Sequence, residues 1–297
     1  MNGGLRVLEA IQRGADFLAR KGVAAPRLQV ELLLAHLLRM PRMKLYLNFE
    51  RLLTPAELDA LRGLVQRRGQ REPVQYIIGS TSFCGLELAL NRHVLIPRPE
   101  TELLAERGWT HLQKAAAAPS ALDVGAGSGC VAIALAHHAP LAQIHATESS
   151  GEALALARRN AESNQVSSRL QFHQGDLFAA VPGDLRFDLI VSNPPYIPSA
   201  RIPTLEAEVC QYEPRQALDG GADGLDFYHR IAREAGAFLR PAGRLMVELD
   251  DEGAAATRRI FERESWTVEA VEGDYNQRPR ILIARRASGP QDEAGQT

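Results

Sequence analysis

The chain has 297 residues, of which 45% are hydrophobic and 24% charged, with a formal net charge of −2. This composition is typical of a globular protein and excludes a disordered or fibrous chain. No apolar run approaches the roughly twenty residues of a membrane span, and the first residues lack the pattern of a signal peptide, so we expect a cytoplasmic protein. Cys84, Cys130 and Cys210 are scattered along the chain, which predicts reduced thiols rather than a disulfide or metal site.

Residues 1–75 predict a small helical bundle, because their apolar residues recur at helical spacing and Thr54 begins a capped helix. Through residue 85 there are 13 basic and 7 acidic side chains, a net charge of +6, which leaves −8 for the rest. Such a bundle suits docking of an acidic protein partner. The alternative is that the charges only solvate a helix face. Direct nucleic-acid binding is disfavoured, because no aromatic residues interleave with the basic ones.

Residues 76–100 alternate and turn like a β-hairpin that links the bundle to the next domain. Residues 101–287 alternate strand and helix patterns, which predicts an α/β fold with a doubly wound, mostly parallel sheet. In such a sheet we expect ligands at the carboxyl ends of the strands. Residues 288–297 are polar, and we expect a flexible tail.

A glycine-rich turn follows the first strand of this domain. It comprises Gly125, Ala126, Gly127, Ser128 and Gly129, and a helical pattern follows it. Glycines allow close approach of a ligand, and the helix N-terminus favours negative charge. The turn alone equally fits a dinucleotide-binding fold or an ordinary tight turn.

Acidic residues follow the next two strands. Glu148 ends the second strand about twenty residues past the glycines, the spacing at which an acid reaches ribose hydroxyls. After the third strand, Asp176 could accept from an adenine amino group and Leu177 could cover the ring. Either acid alone could instead cap a helix or lie in a solvated turn. Together with the glycine turn, they favour a nucleoside pocket.

The tetrapeptide Asn193-Pro194-Pro195-Tyr196 follows the fourth strand. Each proline fixes φ and lacks an N–H, so the strand stops and the backbone is rigid. The Asn193 side-chain oxygen and the Pro194 carbonyl could both accept from one planar NH2 group, with the tyrosine as an aromatic wall. Asn-Pro is also an ordinary turn signal. In this company, the tetrapeptide predicts chemistry at a nitrogen.

The order of these features resembles that of the class I S-adenosylmethionine-dependent methyltransferases. This resemblance implies a seven-stranded sheet. Four segments, 72–76, 95–102, 193–196 and 212–218, look like the release-factor glutamine methyltransferases. The resemblance implies that residues 125–129, Glu148, Leu177 and Asn193 contact S-adenosylmethionine, together with Asp176 from the reasoning above. It also implies that the tetrapeptide holds the substrate glutamine, with Asn193, Pro194 and Tyr196 catalytic.

This sequence departs from the family pattern where the family usually has glycine and glutamine in place of Asp250 and Glu252. We therefore transfer no role from the family to residues 248–253. Glu148 stands where Asp is more common, and Leu177 where an aromatic residue is.

The implied reaction methylates the side-chain amide nitrogen of the Gly-Gly-Gln glutamine in class 1 peptide chain release factors. The expected enzyme is a monomer that uses S-adenosyl-L-methionine and no metal, and that binds neither nucleic acid directly nor a membrane. Three alternatives stay open. An adenine-N6 DNA methyltransferase would need a basic channel, which the acidic second part of the chain does not suggest. The others are a glutamine methyltransferase acting on a ribosomal protein and a cofactor-binding adaptor without catalysis.

Overall fold

A computed structural model describes residues 4–115 and 118–287, and the chain divides into two compact units. The first unit comprises the chain up to Ser80 together with Glu206–Tyr212. The second comprises Thr81–Leu205 and the chain from Glu213 onward. The tail predicted at residues 288–297 lies outside the described residues.

The first unit is a helical bundle, as the apolar spacing predicts. Its helices are α1 (Val7–Arg20), α2 (Pro26–Leu37), α3 (Arg42–Tyr46), α4 (Pro55–Gly69) and α5 (Val74–Ile78). The Thr54 hydroxyl accepts from the Glu57 N–H at 3.2 Å, and the Glu57 carboxylate accepts from the Thr54 N–H at 2.8 Å. This reciprocal capping starts α4 where the sequence predicts it.

The linker differs from the prediction at its start. Residues 76–78 belong to α5 and not to the hairpin, whose strands are β1 (Ser80–Phe83) and β2 (Leu86–Ala89). The reason is that Val74 and Ile77 lie one helical turn apart and are both buried in the bundle core. Gly79, with φ +86°, then ends the helix in the left-handed conformation that suits glycine.

The second unit is built on a seven-stranded sheet, as expected. Its helices are α6 (Pro99–Gln113), α7 (Cys130–His138), α8 (Gly151–Ser163), α10 (Asp226–Glu234) and α11 (Ala254–Arg263), and α9 (Ala207–Tyr212) belongs to the first unit. Its strands are β3 (Ser120–Val124), β4 (Gln143–Glu148), β5 (Leu170–Gln174), β6 (Phe187–Ser192), β7 (Leu239–Glu248), β8 (Trp266–Gly273) and β9 (Pro279–Arg286). Their order across the sheet is β5-β4-β3-β6-β7-β9-β8. Only β9 runs antiparallel to both of its neighbours.

Both faces of this sheet are buried. Leu189 and Val191 of β6 belong to one hydrophobic cluster, and Ile190 between them belongs to the other. Apolar residues on both sides of a strand are typical of parallel sheets covered by helices. The sequence pattern predicts a helix over residues 225–239, and the structure has α10 followed by a 3-10 helix at Ala235–Phe238, so only Leu239 differs, as the first residue of β7.

The strand order reverses direction between β3 and β6, and this point positions the site. Val124 at the end of β3 pairs with Ser192 at the end of β6. Val124 also pairs with Thr147 near the end of β4. The glycine turn, Glu148 and Asn193 therefore emerge side by side at one edge of the sheet. This is the place where open α/β sheets bind ligands.

Candidate active site

A cavity of about 650 Å³ lies in the second unit at the carboxyl ends of β3, β4, β5 and β6. Eight of the residues predicted from the sequence line it: Gly125, Gly127, Glu148, Asp176, Leu177, Asn193, Pro194 and Pro195. The structure also describes four predicted residues that do not line this cavity: Ala126, Ser128, Gly129 and Tyr196. The three strand ends and the tetrapeptide thus contribute to one pocket.

The glycine turn is held on the sheet by backbone hydrogen bonds. The N–H groups of Gly125 and Ala126 both donate to the Thr147 carbonyl, at 3.0 and 2.9 Å. Gly125, Gly127 and Gly129 have φ values of +80°, +56° and +82°. Such φ values favour glycine, so the turn needs glycine at these positions. Gly129 caps α7, whose N-terminus therefore follows the turn directly.

Glu148 connects the glycine turn to the end of β4. Its Oε2 accepts from the Gly127 N–H at 2.9 Å, and its Oε1 accepts from the Ser150 N–H at 2.8 Å and the Ser149 hydroxyl at 3.3 Å. A carboxylate oxygen can accept two hydrogen bonds, so Oε2 keeps one acceptor position. The carboxylate is thus fixed in orientation and still able to bind one hydroxyl group.

Asp176 is engaged by a residue that the sequence reading missed. Arg230 of α10 donates to its Oδ2 at 2.7 Å, and both residues line the cavity. Phe227, one helical turn before Arg230, lines the same wall. Leu177 is 8% exposed, with φ +47°. An aromatic residue is thus present near Leu177, but it comes from α10, and the amphipathic pattern of that helix is the only sequence signal for it.

The tetrapeptide follows β6 and presents its first three residues to the cavity. The Ser192 hydroxyl donates to the Val124 carbonyl at 2.7 Å, which ties the end of β6 to the end of β3. Asn193 Nδ2 donates to the Thr101 hydroxyl at 3.1 Å. Tyr196 packs against the second hydrophobic cluster, and its hydroxyl donates to Glu248 Oε1 at 3.4 Å. Burial raises the pKa of Tyr196, with the neighbouring Glu248 adding to the effect.

Two glycines brace the tetrapeptide from behind. A Cβ at Gly220 would lie 2.8 Å from the Tyr196 Cα, and one at Gly224 would lie 2.3 Å from the Tyr196 carbonyl oxygen. Any larger residue would displace the backbone of the tetrapeptide. The glycine-rich segment that contains them was visible in the sequence, but nothing there indicated what it packs against.

An ion pair joins two of the segments on which the family resemblance depends. Arg98, in the segment 95–102, donates to Glu213 Oε1 at 2.6 Å, and the Ile96 N–H donates to Glu213 Oε2 at 3.4 Å. Burial raises the pKa of Glu213, and Arg98 opposes this only in part. Leu95 and Pro214, each next to a member of this contact, line the cavity. The pair therefore holds two parts of the cavity wall together.

Comparison with known proteins agrees with this arrangement. A family model described as the PrmC N-terminal domain matches residues 9–79, and one described as a methyltransferase small domain matches residues 101–208. The release factor glutamine methyltransferase of Geobacter sulfurreducens is 50% identical over 269 residues, which cover 91% of this chain and 93% of that protein. The chain belongs to the release factor glutamine methyltransferase family. The family expected from the motifs is confirmed, and the protein is a methyltransferase.

Other family members and a solved structure support the assignment at different levels. The release factor glutamine methyltransferase of Chlorobaculum tepidum is 44% identical, covering 93% of this chain and 96% of its own. A methyltransferase structure from Pyrococcus furiosus superposes with a TM-score of 0.51 at 21% identity, covering 69% of this chain and 90% of its own. At that identity the second likeness concerns the fold alone, and it agrees with the class I methyltransferase sheet.

Asp250 and Glu252, where the sequence departs from the family pattern, both lie close to Arg201. Arg201 Nη1 lies 2.9 Å from Glu252 Oε2 and 3.9 Å from Asp250 Oδ2. Arg201 follows the tetrapeptide by five residues, so the acidic pair contacts the segment that leaves the site. Arg201 and Glu252 are largely exposed, and exposed ion pairs contribute about 1 kcal/mol or less.

Two further findings concern the described part of the chain. No helix in it is long and apolar enough to cross a membrane. Within residues 4–115 and 118–287, no three His, Cys, Asp or Glu side chains are grouped so that they could hold a metal ion.

Proposed function

We propose that this methyltransferase transfers the methyl group of S-adenosyl-L-methionine to the side-chain amide nitrogen (N5) of the Gly-Gly-Gln glutamine in class 1 peptide chain release factors. One observation carries the proposal: Asn193 and Pro194 line the same cavity as Gly127 and Glu148. Acceptors for an NH2 group therefore border the pocket suited to a nucleoside. We infer the release factor as substrate from the relatives, which are release factor glutamine methyltransferases.

The residues of the cavity fit the cofactor. A volume of about 650 Å³ lies within the range of sites for small molecules. Apart from the adjacent residues in the chain, no described protein atom lies within 4 Å of a Cβ built on Gly125 or Gly127, so a ligand can approach this backbone closely. The remaining acceptor position of Glu148 Oε2 suits a ribose hydroxyl. Gly125, Gly127 and Leu177, which line the cavity, complete the cofactor contacts in this proposal, with Asp176 Oδ1 toward the adenine amino group.

The bound cofactor would supply an electrophilic methyl group on a sulfonium sulfur. The chain must supply a reactive nitrogen, because the lone pair of an amide nitrogen is delocalised into its carbonyl. In our proposal, Asn193 Oδ1 and the Pro194 carbonyl accept from the two N–H groups of the glutamine, and Pro195 packs against the flat amide. Tyr196 is directed into the hydrophobic cluster behind the cavity and supports the tetrapeptide from there. Two fixed acceptors hold the nitrogen in line and favour its pyramidal form. The proton becomes acidic only as the N–C bond forms, so no base is needed beforehand.

The central test uses the purified enzyme, labelled S-adenosylmethionine and a class 1 release factor whose Gly-Gly-Gln glutamine is intact or changed to alanine. We expect label on the intact factor alone, located on the glutamine by mass spectrometry. Asn193→Ala should lower kcat by about a hundredfold or more, as when one preorganised group at the reacting centre is removed. Its cofactor affinity, measured by equilibrium dialysis, should stay close to that of the wild type.

Asn276→Ala is a matched control, because Asn276 is exposed in the turn between β8 and β9. It should leave kcat unchanged. Label on both release factors would move the methylated position elsewhere. Label on DNA or a ribosomal protein, with none on the release factor, would contradict the proposed substrate. Nearly full kcat in Asn193→Ala would contradict the role of the tetrapeptide.

The first unit supports docking of the protein substrate. It carries the basic excess of the chain, and in α3 it exposes Met43 (66%) together with Leu47 (85%), the residue that follows that helix. Apolar residues surrounded by charge are typical of protein interfaces. We therefore assign release-factor docking to this bundle. Because translation termination takes place in the cytoplasm, we place the enzyme there.

A further inference from the structure

Helix α10 supplies a part of the cavity wall that no sequence motif indicated. Phe227 and Arg230 lie about one helical turn apart, and both line the cavity together with Asp176 and Leu177. The Arg230 guanidinium carbon lies 5.9 Å from the centroid of the Phe227 ring. Phe227 also packs against the second hydrophobic cluster, to which Leu177 belongs. This part of the wall therefore combines a flat apolar surface with a charged pair.

The turn that carries Asp176 has a fixed backbone. The Gly175 N–H donates to the Glu148 carbonyl at 3.0 Å, and the Asp176 carbonyl accepts from the Ala179 N–H at 3.0 Å. Leu177 has φ +47°, a left-handed conformation that is uncommon for a residue other than glycine. The backbone therefore determines where the Asp176 side chain begins, and only its side-chain torsions remain free.

Arg230 fixes those torsions. Its Nη2 donates to Asp176 Oδ2 at 2.7 Å, and its Nε lies 3.9 Å from Glu234 Oε1, one turn further along α10. The Asp176 side chain is 60% exposed, so without this hydrogen bond it would exchange between rotamers. A carboxylate can only accept hydrogen bonds. With Oδ2 bound to Arg230, Oδ1 is left to accept from a group in the cavity.

We propose that α10 makes the pocket selective for adenine. Phe227 packs against the purine ring of the cofactor. Arg230 is a positioning residue that holds Asp176 with Oδ1 toward the amino group at C6 of adenine. The inference deepens the proposed function and rests on it for the identity of the cofactor.

The selectivity depends on a carboxylate that cannot turn. Adenine has an NH2 donor at C6 and an acceptor at N1, whereas hypoxanthine has a carbonyl oxygen at C6 and an N–H donor at N1. A fixed acceptor that faces C6 binds the adenine amino group and repels the hypoxanthine oxygen. A carboxylate that is free to turn can instead accept from the N1 N–H of hypoxanthine. Arg230 prevents this adjustment and thereby excludes the second base.

The experiment measures binding of S-adenosylhomocysteine and S-inosylhomocysteine to the full chain by isothermal titration calorimetry, without a release factor. The two ligands differ only in the base, which is adenine in the first and hypoxanthine in the second. The wild type should bind the adenine ligand about tenfold more tightly, the worth of a hydrogen bond to a charged group. Arg230→Met removes the donors and should lower this preference to about threefold or less, because the freed carboxylate can serve either base.

Asp176→Asn tests the direction of the hydrogen bond. Asparagine has a single acceptor oxygen, and Arg230 can donate only to that atom, so the NH2 group is left facing the cavity. This group can donate to the C6 oxygen of hypoxanthine but not to the amino group of adenine. We expect the preference to reverse in Asp176→Asn and to disappear when Arg230→Met is added. A merely structural role of Arg230 would change both affinities together and leave their ratio unchanged.

Phe227→Leu tests the contact with the ring. Leucine keeps the apolar packing but removes the flat surface, so both ligands should bind about tenfold more weakly with an unchanged ratio. Phe238→Leu is the matched control, because Phe238 packs against the same hydrophobic cluster but lies outside the cavity lining. Arg233→Met is the control for Arg230, because Arg233 is exposed on α10 and also lies outside that lining. Both controls should bind the two ligands as the wild type does.

Three results would overturn the inference: equal binding of the two ligands by the wild type, an unchanged adenine preference in Arg230→Met or Asp176→Asn, or wild-type affinity in Phe227→Leu. Thermal unfolding, measured in parallel, verifies that each variant is folded. Should Asp176→Asn fail to fold, Arg230→Met still decides the question. Failure of the proposed function is a different result, because the wild type would then bind neither ligand or would leave the release-factor glutamine unmethylated.

Discussion

Gly127 and Gly129 show how two residues of one motif serve different purposes. Both have positive φ, but their surroundings differ. Apart from the adjacent residues in the chain, no described protein atom lies within 4 Å of a Cβ on Gly127, and this residue lines the cavity. A Cβ on Gly129 would lie 3.1 Å from Ile133 Cδ1 and 3.2 Å from Ala157 Cβ. The first glycine leaves room for the ligand, and the second allows α7 and α8 to pack closely.

Alanine at the two positions should therefore affect different properties. Gly127→Ala should weaken cofactor binding by about tenfold with a loss of stability near 1 kcal/mol, the cost of a left-handed alanine. Gly129→Ala should lower the free energy of unfolding by about 2–3 kcal/mol, because contacts at these distances add overpacking to the backbone strain. Isothermal titration calorimetry and thermal unfolding measure the two effects.

Gly183→Ala provides the control for both variants, since Gly183 has no positive φ and no neighbour within 4 Å of its Cβ position. Equal losses of affinity in Gly127→Ala and Gly129→Ala, at equal Tm, would contradict this division of roles.

Among the elements, helix α9 is held in place by ion pairs. Glu208 of α9 accepts from Arg68 at 2.7 Å and from Arg71 Nε at 2.8 Å, within the first unit. Burial raises the pKa of Glu208, but the hydrogen bonds from Arg71 and Arg68 outweigh it and lower the pKa to about 2. The Tyr212 hydroxyl adds a hydrogen bond to the Gln70 carbonyl at 2.7 Å. A six-residue helix has little stability of its own, so these contacts hold it in place.

Glu208→Ala should destabilise the bundle. The side chain of Arg68 is 5% exposed, and without Glu208 its charge is buried without its carboxylate partner. Breaking such a pair costs about 3 kcal/mol, the lower end of the range for buried pairs, since Glu208 keeps some exposure. Native-state hydrogen exchange should show about a hundredfold less protection in α2 and α4.

Glu206→Ala removes an exposed carboxylate two residues away and should leave exchange unchanged. If the two variants exchange alike, the ion pairs of Glu208 contribute nothing measurable to the bundle.

For the whole molecule, the uneven distribution of charge has a kinetic consequence. The first 85 residues carry a net charge of +6 and the remainder −8. A basic docking surface speeds the encounter with an acidic protein. Dissolved salt screens this attraction between charges that are more than about 10 Å apart at 0.1 M ionic strength. The overall charge of −2 hides this property.

Raising the salt concentration from about 50 to 200 mM should therefore raise KM for the release factor several-fold with little change in kcat. The double variant Arg13→Gln, Arg20→Gln removes two exposed charges of α1 and should show a weaker dependence on salt. Steady-state kinetics at several ionic strengths measure it. The control Arg158→Gln, Arg159→Gln removes two exposed charges of α8 in the second unit. Identical salt dependence in both double variants would mean that the basic residues of the bundle only solvate it.

The fold was largely predictable because it depends on local patterns. Alternating apolar strands and helices predict the sheet, and the capped start at Thr54 predicts α4. The end of the bundle was not predictable in the same way. Residues 76–78 alternate like a strand, but Val74 and Ile77 lie in the bundle core, and that burial makes the segment a helix.

The same distinction between local sequence pattern and tertiary packing applies to the candidate site. The sequence by itself determined the chemistry at each strand end: glycines for close approach, a carboxylate at Glu148, and acceptors at Asn193 and Pro194. Only the tertiary structure decided which distant residues complete them. Arg230 donates to Asp176, Thr101 accepts from Asn193, and Glu248 accepts from Tyr196. Rigid motifs are encoded within a few adjacent residues, whereas these partners are brought together by strand order and helix packing, which no local pattern records.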